Sequence, residues 1–170
     1  MALQIVFCVE TNKRAATDSI YIKETIDALY HVGNDININY VFMGTKTKYN
    51  SKEVVREINS RRREFKIGNT VVIYCVDTDR YDCDQNHARQ LKEIEKYTKD
   101  NGYKLVWFCH DIEEVYIGES VSDDKKVLCA SDFKKKEKIK TVNISKFKAK
   151  EYRKNTTNIL LVLDEYLERK

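Results

Sequence analysis

Four aspartates fall within eight positions of the segment TVVIYCVDTDRYDCD: Asp77, Asp79, Asp82 and Asp84. They directly follow the unbroken apolar run 71–76, which is typical of a fully buried strand. Unpaired carboxylates so close together repel one another and destabilise the fold. A bound cation commonly offsets that repulsion, and hard oxygen ligands suit Mg²⁺ or Mn²⁺. The segment therefore predicts a divalent-metal site.

The carboxylates that would form this site end two different apolar runs. Asp77 and Asp79 are two residues apart, so an extended backbone would direct both side chains to the same side. Together with Glu10, which ends the first apolar run, they can make an all-oxygen site. The alternative is that the aspartate pair only begins a turn. Asp84 is predicted to cap the helix that follows, and an earlier helix is predicted to begin at about Ser51.

The elements that must position these acids alternate along the chain. Gly33, Gly68 and Gly102 are spaced about 34 residues apart, each between a helix-like pattern and a strand-like run, where a helix C-terminal glycine belongs. Strands that alternate with helices predict βαβ units. Near-continuous apolar strands predict a mostly parallel sheet that is covered on both faces.

This pattern predicts an α/β fold with a four-stranded, mostly parallel, Rossmann-like sheet flanked by helices on both faces. The fourth strand, YKLVWFC, is followed by the segment HDIEEVYIG, a basic stretch and a last helix predicted over about residues 154–168. In an open parallel sheet, ligands bind outside the carboxyl ends of the strands. Glu10, Asp77 and the acids after the fourth strand are therefore expected at one edge.

Composition indicates one soluble globular domain, with 170 residues, 42% of them apolar and 34% charged. The apolar runs are too short to cross a membrane, and the N-terminus is interpreted as a first strand rather than a signal peptide. The five cysteines include no CxxC pair. A cytoplasmic protein with reduced thiols and no zinc site is the simplest interpretation.

The charge is unevenly distributed. Between residues 125 and 154 there are twelve Lys or Arg and only three Asp or Glu, although the net charge of the whole chain is +4. A basic segment beside an acidic centre favours a polyanionic partner. The alternative is a solvated charged face without a binding role.

Two motifs carry a resemblance to a known family. IVFCVE, which ends on Glu10, and VIYCVDTD, which contains Asp77 and Asp79, resemble the Toprim domain, the metal-binding module of topoisomerases, primases, small ribonucleases and OLD-type nucleases. The order of the parts resembles more narrowly the RloB-like Toprim proteins of bacterial restriction and phage-defence loci. The resemblance covers about residues 3–118. It departs at Thr11, where the family usually has a glycine that lets the backbone turn closely.

The resemblance implies a division of the chain and a function. Residues 1–118 would form the Toprim-like domain, and residues 119–170 a basic segment and C-terminal helix packed on the same domain. The implied function is a Mg²⁺-dependent nuclease that hydrolyses DNA or RNA in phage defence or RNA processing. The alternative is a non-catalytic binding or effector subunit that acts with a larger partner, such as an ATPase. A response-regulator-like receiver is disfavoured because the first strand delivers one acid rather than two.

The resemblance also implies roles for individual residues. Glu10 would be the catalytic residue, as a metal ligand or as a general acid/base, and Asp77 and Asp79 would hold Mg²⁺ or Mn²⁺. Glu113 would complete a second metal position, with Glu114 and Asp111 as alternatives. His87 and His110 are weaker candidates for general bases.

Cations and aromatic residues supply the candidates for substrate binding. Lys13 and Arg14 would meet phosphate oxygens, or else be exposed loop cations. The run that includes Lys134, Lys135 and Lys136 is expected to contact the nucleic-acid backbone without reading bases. The alternative for this run is a tether or a docking surface for an acidic protein. Candidates for base stacking are Tyr49, Tyr81 and Tyr116.

Overall fold

A computed structural model describes all residues, 1–170. The main sheet has five strands, β1 (Ala2–Val9), β3 (Ile36–Phe42), β4 (Gly68–Asp77), β5 (Lys104–Cys109) and β6 (Thr156–Thr157), and β2 (Tyr30–His31) pairs separately with β7 (Glu168–Arg169). The helices are α1 (Thr17–Leu29), α2 (Lys52–Glu64), α3 (Gln85–Asp100), α4 (Ile112–Ile117), α5 (Lys126–Lys135) and α6 (Ile159–Leu163). None of the helices is long and apolar enough to cross a membrane.

The strand order of the main sheet is β3-β1-β4-β5-β6. The first four strands in this order are parallel to their neighbours, and only β6 is antiparallel, against β5. The prediction of a mostly parallel α/β sheet is confirmed, but the sheet has five strands rather than four. The chain leaves β1 toward one side of the sheet and returns to β4 on the other. The gap between the carboxyl ends of β1 and β4 is therefore a topological switch point, where open α/β sheets bind ligands.

Each face of the sheet is covered by its own layer of helices. Successive strand residues alternate between the layers, so Phe7 and Val9 belong to a cluster of 23 buried residues, while Val6 and Cys8 belong to one of 11. The larger cluster includes residues of α1, α4, α5 and α6, and the smaller one includes residues of α2 and α3. The predicted cover on both faces is thus confirmed.

Two of the predicted helix starts are N-caps in the structure. The side chain of Ser51 accepts the N–H of Val54 and begins α2, and the carboxylate of Asp84 accepts two N–H groups at the start of α3. Gly102 follows α3 with a φ of 67°, a left-handed conformation that glycine adopts without strain. These features were predictable because each depends on residues only a few positions apart.

The predicted C-terminal helix over residues 154–168 is wrong. Only Ile159–Leu163 is helical, and the segments on either side of it form β6 and β7. Asn158 explains the late start, because its side chain accepts the N–H of Trp107 and donates to the carbonyl of Leu105. These bonds satisfy backbone groups along the edge of β5. A contact some fifty residues away in the chain therefore overrides the local helical pattern.

The basic stretch is ordered by apolar residues between its lysines. It forms α5 and two short 3₁₀ segments, Lys138–Thr141 and Ile144–Lys148. Phe133, Ile139 and Phe147 are buried in the larger core cluster beside α1. The stretch is therefore held against the sheet by the hydrophobic effect while its lysines face outward.

Candidate functional site

A cleft of about 400 Å³ opens at the switch point, at the carboxyl ends of β1 and β4. Four carboxylates line it, from Glu10, Asp18, Asp77 and Glu113, and Asp123 stands at its exposed rim. Lys126 is the one cation in its lining. This group of residues is called the acidic cleft below.

Backbone amides orient two of the carboxylates. The Oε1 atom of Glu10 accepts the N–H of Asp77 at 2.7 Å, and the Oδ1 atom of Asp77 accepts the N–H of Ile112 at 3.0 Å. These two hydrogen bonds connect three elements at the carboxyl edge of the sheet: β1, β4 and α4. The second oxygen of each carboxylate accepts no hydrogen bond and remains for a ligand.

Glu113 is buried without hydrogen bonds. Its side chain is 1% exposed, and neither carboxylate oxygen has a hydrogen-bond partner. Its nearest cation is Lys126, whose Nζ atom lies 3.5 Å from Oε2. Thr11, which also lines the cleft, has a buried hydroxyl without a partner. Because buried polar groups are nearly always paired, these atoms are free to accept or donate a hydrogen bond from within the cleft.

Asp18 is the fourth carboxylate, and the sequence reasoning did not select it as a site residue. It is the second residue of α1 and only 7% exposed. The sequence did contain a signal for Asp18. A helix that follows a parallel strand begins at the carboxyl edge of the sheet, so an acid in the first turn of that helix lies at the same edge. The partial positive charge at the start of α1 also favours an acid there.

The pKa values of the cleft acids reflect unbalanced negative charge. Burial, with like-charged neighbours, raises the pKa of Glu10 to about 8, although Lys46 opposes the shift. Burial likewise raises the pKa of Glu113 to about 7 and that of Asp18 to about 6, and it raises the pKa of Asp77 well above its usual range. Lys126 and Lys46 do not compensate four carboxylates, of which Asp18 and Glu113 are buried and the other two half-buried. The raised pKa values favour protonated carboxyl groups near neutral pH.

Lys126 remains charged despite its partial burial. Burial by itself lowers the pKa of a lysine, but the carboxylates of Glu113 and Asp77 outweigh that effect and raise it. Lys126 is the first residue of α5, and the sequence offered no signal that distinguished it from the other lysines of the basic stretch. Its position is a consequence of how α5 packs beside α1.

Asp79 lies apart from the acidic cleft. Its carboxylate pairs with the ammonium of Lys46, which also donates to the Asp77 carbonyl at 2.7 Å. The expectation that Asp77 and Asp79 point to the same side is wrong, because Asp79 has a φ of 49° and the backbone is not extended there. Lys46 is 5% exposed and follows β3, and no motif marked it in the sequence.

The two candidate histidines line a second polar depression, of about 550 Å³, which also contains Asp79. His110 stands between two acids, with Nε2 at 3.3 Å from Asp82 and Nδ1 at 3.5 Å from Glu114. His87 accepts the N–H of Arg80 at 3.3 Å. Neither histidine is part of the lining of the acidic cleft.

The predicted cations lie outside the cleft. Lys13 and Arg14 are exposed in the loop between β1 and α1, whose other residues border the cleft. Lys134, Lys135 and Lys136 are exposed at the end of α5, and Lys136 pairs with Asp132 at 3.0 Å. With a rise of about 1.5 Å per residue, Lys134 is roughly 12 Å along the helix from Lys126.

The three candidate stacking tyrosines are used for packing. Tyr116 is 5% exposed, and its hydroxyl hydrogen-bonds to that of Thr25 at 2.7 Å. Tyr49 packs edge-on against Tyr97, with ring centroids 5.1 Å apart, and Tyr81 packs against Tyr152 at the same separation. Most of the ring surface available for stacking is therefore already covered by protein.

The donor atoms of the cleft match a hard divalent cation. All four acids of the cleft offer oxygen ligands, which Mg²⁺ and Mn²⁺ prefer, and the oxygens of Glu113 have no hydrogen-bond partner. As the side chains stand, no group of three His, Cys, Asp or Glu residues is close enough together to hold a metal ion. Coordination of one ion by several of these carboxylates would therefore require their side chains to move closer together.

Comparison of the chain with protein-family models, with curated proteins and with solved structures finds no match. Function is therefore inferred from the geometry and charge of the molecule itself.

Proposed function

We propose that this chain is a Toprim-class nuclease, dependent on Mg²⁺ or Mn²⁺, that hydrolyses phosphodiester bonds in DNA or RNA at the acidic cleft. The observation that supports this most is the buried, unpartnered carboxylate of Glu113 in the same cleft as Glu10 and Asp77. A buried carboxylate whose oxygens accept no hydrogen bond, and whose one cation, Lys126, is 3.5 Å away, is costly to keep. A function that requires a metal ion there explains why it is kept. Phage defence or RNA processing is the proposed setting.

The residues proposed to hold the metal are Asp77 and Glu113, with Asp18 beside them. When bound, Mg²⁺ polarises a phosphate and stabilises the negative charge that develops on its oxygens. Asp77 is suited to a fixed position, because the Ile112 N–H holds one of its oxygens and leaves the other toward the cleft. Asp79 would contribute as a ligand only after release from Lys46, and it otherwise orders the loop beside the cleft.

Glu10 is proposed to donate or accept a proton in the reaction. A raised pKa of about 8 lets its carboxyl group exchange a proton near neutral pH, as a general acid or base requires. The Asp77 N–H fixes its orientation toward the switch point. In the hydrolysis, water attacks phosphorus, a P–O bond to the leaving sugar oxygen breaks, and that oxygen receives a proton.

Lys126 and Thr11 are proposed to meet the phosphate of the substrate. Lys126 is the one ammonium group in the cleft lining, and it can donate to a phosphate oxygen while it still faces Glu113. The Thr11 hydroxyl is a buried donor with no partner in the protein. In this interpretation Thr11, which stands where the Toprim family usually has a glycine, contacts the substrate.

The test is cleavage of labelled single-stranded and duplex DNA and RNA, with Mg²⁺ or with EDTA. Wild-type protein is expected to cleave at least one of these substrates only with the metal, and Glu10→Gln is expected to lower the rate about 10²–10⁴-fold. Glu119→Gln, at an exposed position outside the cleft, is the matched control. Cleavage that persists in EDTA, or a Glu10→Gln variant as active as its control, would contradict the proposal.

One observation favours a second candidate, a non-catalytic nucleic-acid-binding subunit that acts with a larger, ATPase-type partner. Asp79 is engaged by Lys46 and is not part of the cleft lining, so one of the carboxylates that the Toprim resemblance assigns to the metal does not face the cleft. This alternative predicts nucleic-acid binding and Mg²⁺-dependent stabilisation without cleavage of any of the four substrates. The same assay, run beside a thermal-shift measurement, distinguishes the two candidates.

A further inference from the structure

A second charged concavity, opposite in sign to the acidic cleft, lies in the C-terminal third of the chain. It has a volume of about 500 Å³, and its cations are Lys146, Lys148, Lys150 and Arg153. The hydroxyl residues Ser145 and Thr156 also line it. This concavity is called the basic groove below. It is formed by the 3₁₀ segment Ile144–Lys148 and the loop that leads to β6.

The cations of the basic groove are not neutralised within the protein. Lys146, Lys148 and Lys150 take part in no ion pair, and Arg153 has only a long contact of 3.8 Å to Glu151. In the run after residue 133, Lys136 and Lys140 each pair with a nearby acid, whereas Lys134, Lys135 and Lys138 do not. The groove differs in that its unpaired lysines line one concavity, where they can face the same anionic ligand.

The loop that carries these cations is held in place by aromatic packing. The Tyr152 ring lies 4.8 Å from that of Trp107 and 5.1 Å from that of Tyr81, measured between centroids, and its hydroxyl donates to Glu95. Phe147, between Lys146 and Lys148, is fully buried. Because Phe147 lies between two of the lysines and Tyr152 directly precedes Arg153, the backbone that carries the cations is preorganised, which lowers the entropy cost of binding.

The loop also reaches the same edge of the sheet as the acidic cleft. Since β6 runs antiparallel to β5, the chain just before β6 lies at the carboxyl end of β5, where the Asn155 N–H donates to the Cys109 carbonyl at 2.6 Å. Neighbouring strands are about 4.8 Å apart, so β6 is roughly 10 Å from β4.

We propose that the basic groove binds the phosphate backbone of a nucleic-acid strand and leads that strand toward the acidic cleft. This inference rests on the proposed nuclease function and adds the path of the substrate. Lysine, arginine and hydroxyl groups contact phosphates and carry no base information, so the groove binds without sequence preference. An acidic active site needs such a surface, because without metal it repels the polyanion it must cut.

The groove also replaces the Lys134–Lys136 run as the main backbone contact. Those lysines are at the far end of α5 from the cleft, and they line neither the cleft nor the groove. The two sets offer the same change of charge in different places. They therefore provide a matched pair of variants.

The test compares Lys146→Gln/Lys148→Gln/Lys150→Gln with Lys134→Gln/Lys135→Gln/Lys136→Gln. Binding of fluorescein-labelled 20-nucleotide DNA and RNA is followed by anisotropy in EDTA at several salt concentrations, so that no metal is involved. The groove variant is expected to bind every sequence about tenfold or more weakly, and its salt slope should flatten by about 0.7–0.9 for each phosphate that the protein no longer neutralises. The control variant is expected to change less than half as much in either quantity.

Equal weakening in the two variants would overturn the inference, because it would show a general charge effect. Unchanged binding by the groove variant would overturn it as well. Melting temperatures verify that both triple variants are folded, and the three single groove variants, tested in the same way, replace a triple that is not. If groove-dependent binding is found in EDTA but wild type cuts nothing with Mg²⁺, the proposed nuclease function is contradicted and the proposed binding of nucleic acid by the basic groove is supported. If wild type cuts and the groove variant binds and cuts equally well, only the proposed role of the basic groove is contradicted.

Discussion

The acidic cleft and the basic groove lie at the same edge of the sheet. The cleft encloses unbalanced negative charge, whereas the groove exposes unbalanced positive charge. The cleft holds its carboxylates at the ends of β1 and β4 and the starts of α1 and α4, where they are buried or half-buried and water screens them poorly. The groove displays its cations on an irregular segment, where water screens them well. A buried, uncompensated charge costs several kcal/mol, whereas an exposed one costs or contributes about 1 kcal/mol or less.

This difference predicts how the two regions respond to change. In the cleft two carboxylates are held by backbone N–H groups, and all four are perturbed by their neighbours, so one substitution has a large effect. In the groove the lysines act through their summed field, so one substitution has a small effect. The cleft is also a place where a ligand can stabilise the fold, because it relieves a repulsion that the protein cannot relieve itself.

The largest expected effect is on catalysis in the cleft. Asp77→Asn is expected to abolish Mg²⁺-dependent cleavage, because the amide lacks the charge that a metal ligand needs, while the metal-free protein becomes more stable by about 1 kcal/mol. Cleavage assays and thermal melting in EDTA measure the two results. Asp100→Asn, on the exposed end of α3, should change neither. An Asp77→Asn protein that cuts as well as wild type would remove Asp77 from the site.

The second effect is on the stabilisation by Mg²⁺ and its pH dependence. Burial raises the folded-state pKa of Glu10 from the usual 4.5 to about 8, so between these values the folded protein binds more protons than the unfolded chain. The free energy of unfolding therefore falls as pH rises across this window when metal is absent. Mg²⁺ binds the ionised form, so the rise in melting temperature on adding it should be larger at about pH 8 than at about pH 5.5.

Thermal melting with and without Mg²⁺ at both pH values checks this prediction. Ca²⁺ added at the same concentration is a control for a general effect of divalent charge. A Mg²⁺-induced rise in melting temperature that is equal at the two pH values, or no rise at all, would contradict this prediction and the difference described between cleft and groove. It would mean that the cleft acids are not the groups that the metal neutralises.

Glu113→Gln tests the cost of the unpartnered carboxylate. At about pH 8 the substitution removes an ionised group whose pKa is raised to about 7, but it leaves a buried amide that also lacks partners. A net gain of about 1 kcal/mol, or about 2–4 °C in melting temperature, is expected in EDTA. The gain should vanish at about pH 5, where Glu113 is protonated in wild type. Glu119→Gln is the exposed control, and a destabilised Glu113→Gln protein would contradict the prediction.

Asp79→Asn separates a metal ligand from an ion-pair partner. Because Asp79 pairs with Lys46 and is 39% exposed, the variant is expected to be less stable by about 1 kcal/mol and to keep most of the Mg²⁺-induced rise in melting temperature. Asp77→Asn, measured beside it, should lack that rise. Absence of the rise in both variants would show that Asp79 leaves Lys46 and joins the metal site.

The smallest effect is expected from a single groove lysine. Lys148→Gln should weaken nucleic-acid binding by about threefold or less, because it removes one screened phosphate contact of several. Titrations at low and high salt measure it, with Lys135→Gln as the partner variant. A change of about a hundredfold would show that the groove, like the cleft, depends on one critical charge.

The sequence was informative wherever structure depends on neighbours in the chain. Apolar runs and their spacing predicted the parallel strands and the helices on both faces, and the N-caps at Ser51 and Asp84 were visible as residue types. Glu10 and Asp77 could be placed together because parallel strands end at a common edge, and the Glu10 contact to the Asp77 N–H agrees with that placement.

Only the tertiary structure decided which charges meet. Asp79 turns away from Asp77 because its backbone is left-handed and Lys46 holds it, and no local pattern encodes either fact. Lys126 reaches Glu113 through the packing of α5, and the C-terminal segment becomes strand because Asn158 finds backbone partners on β5. Periodicity and capping act over a few residues, whereas desolvation and ion pairing depend on segments brought together from across the chain. The strands and their edge could thus be read from the sequence, and the charge balance of the cleft could not.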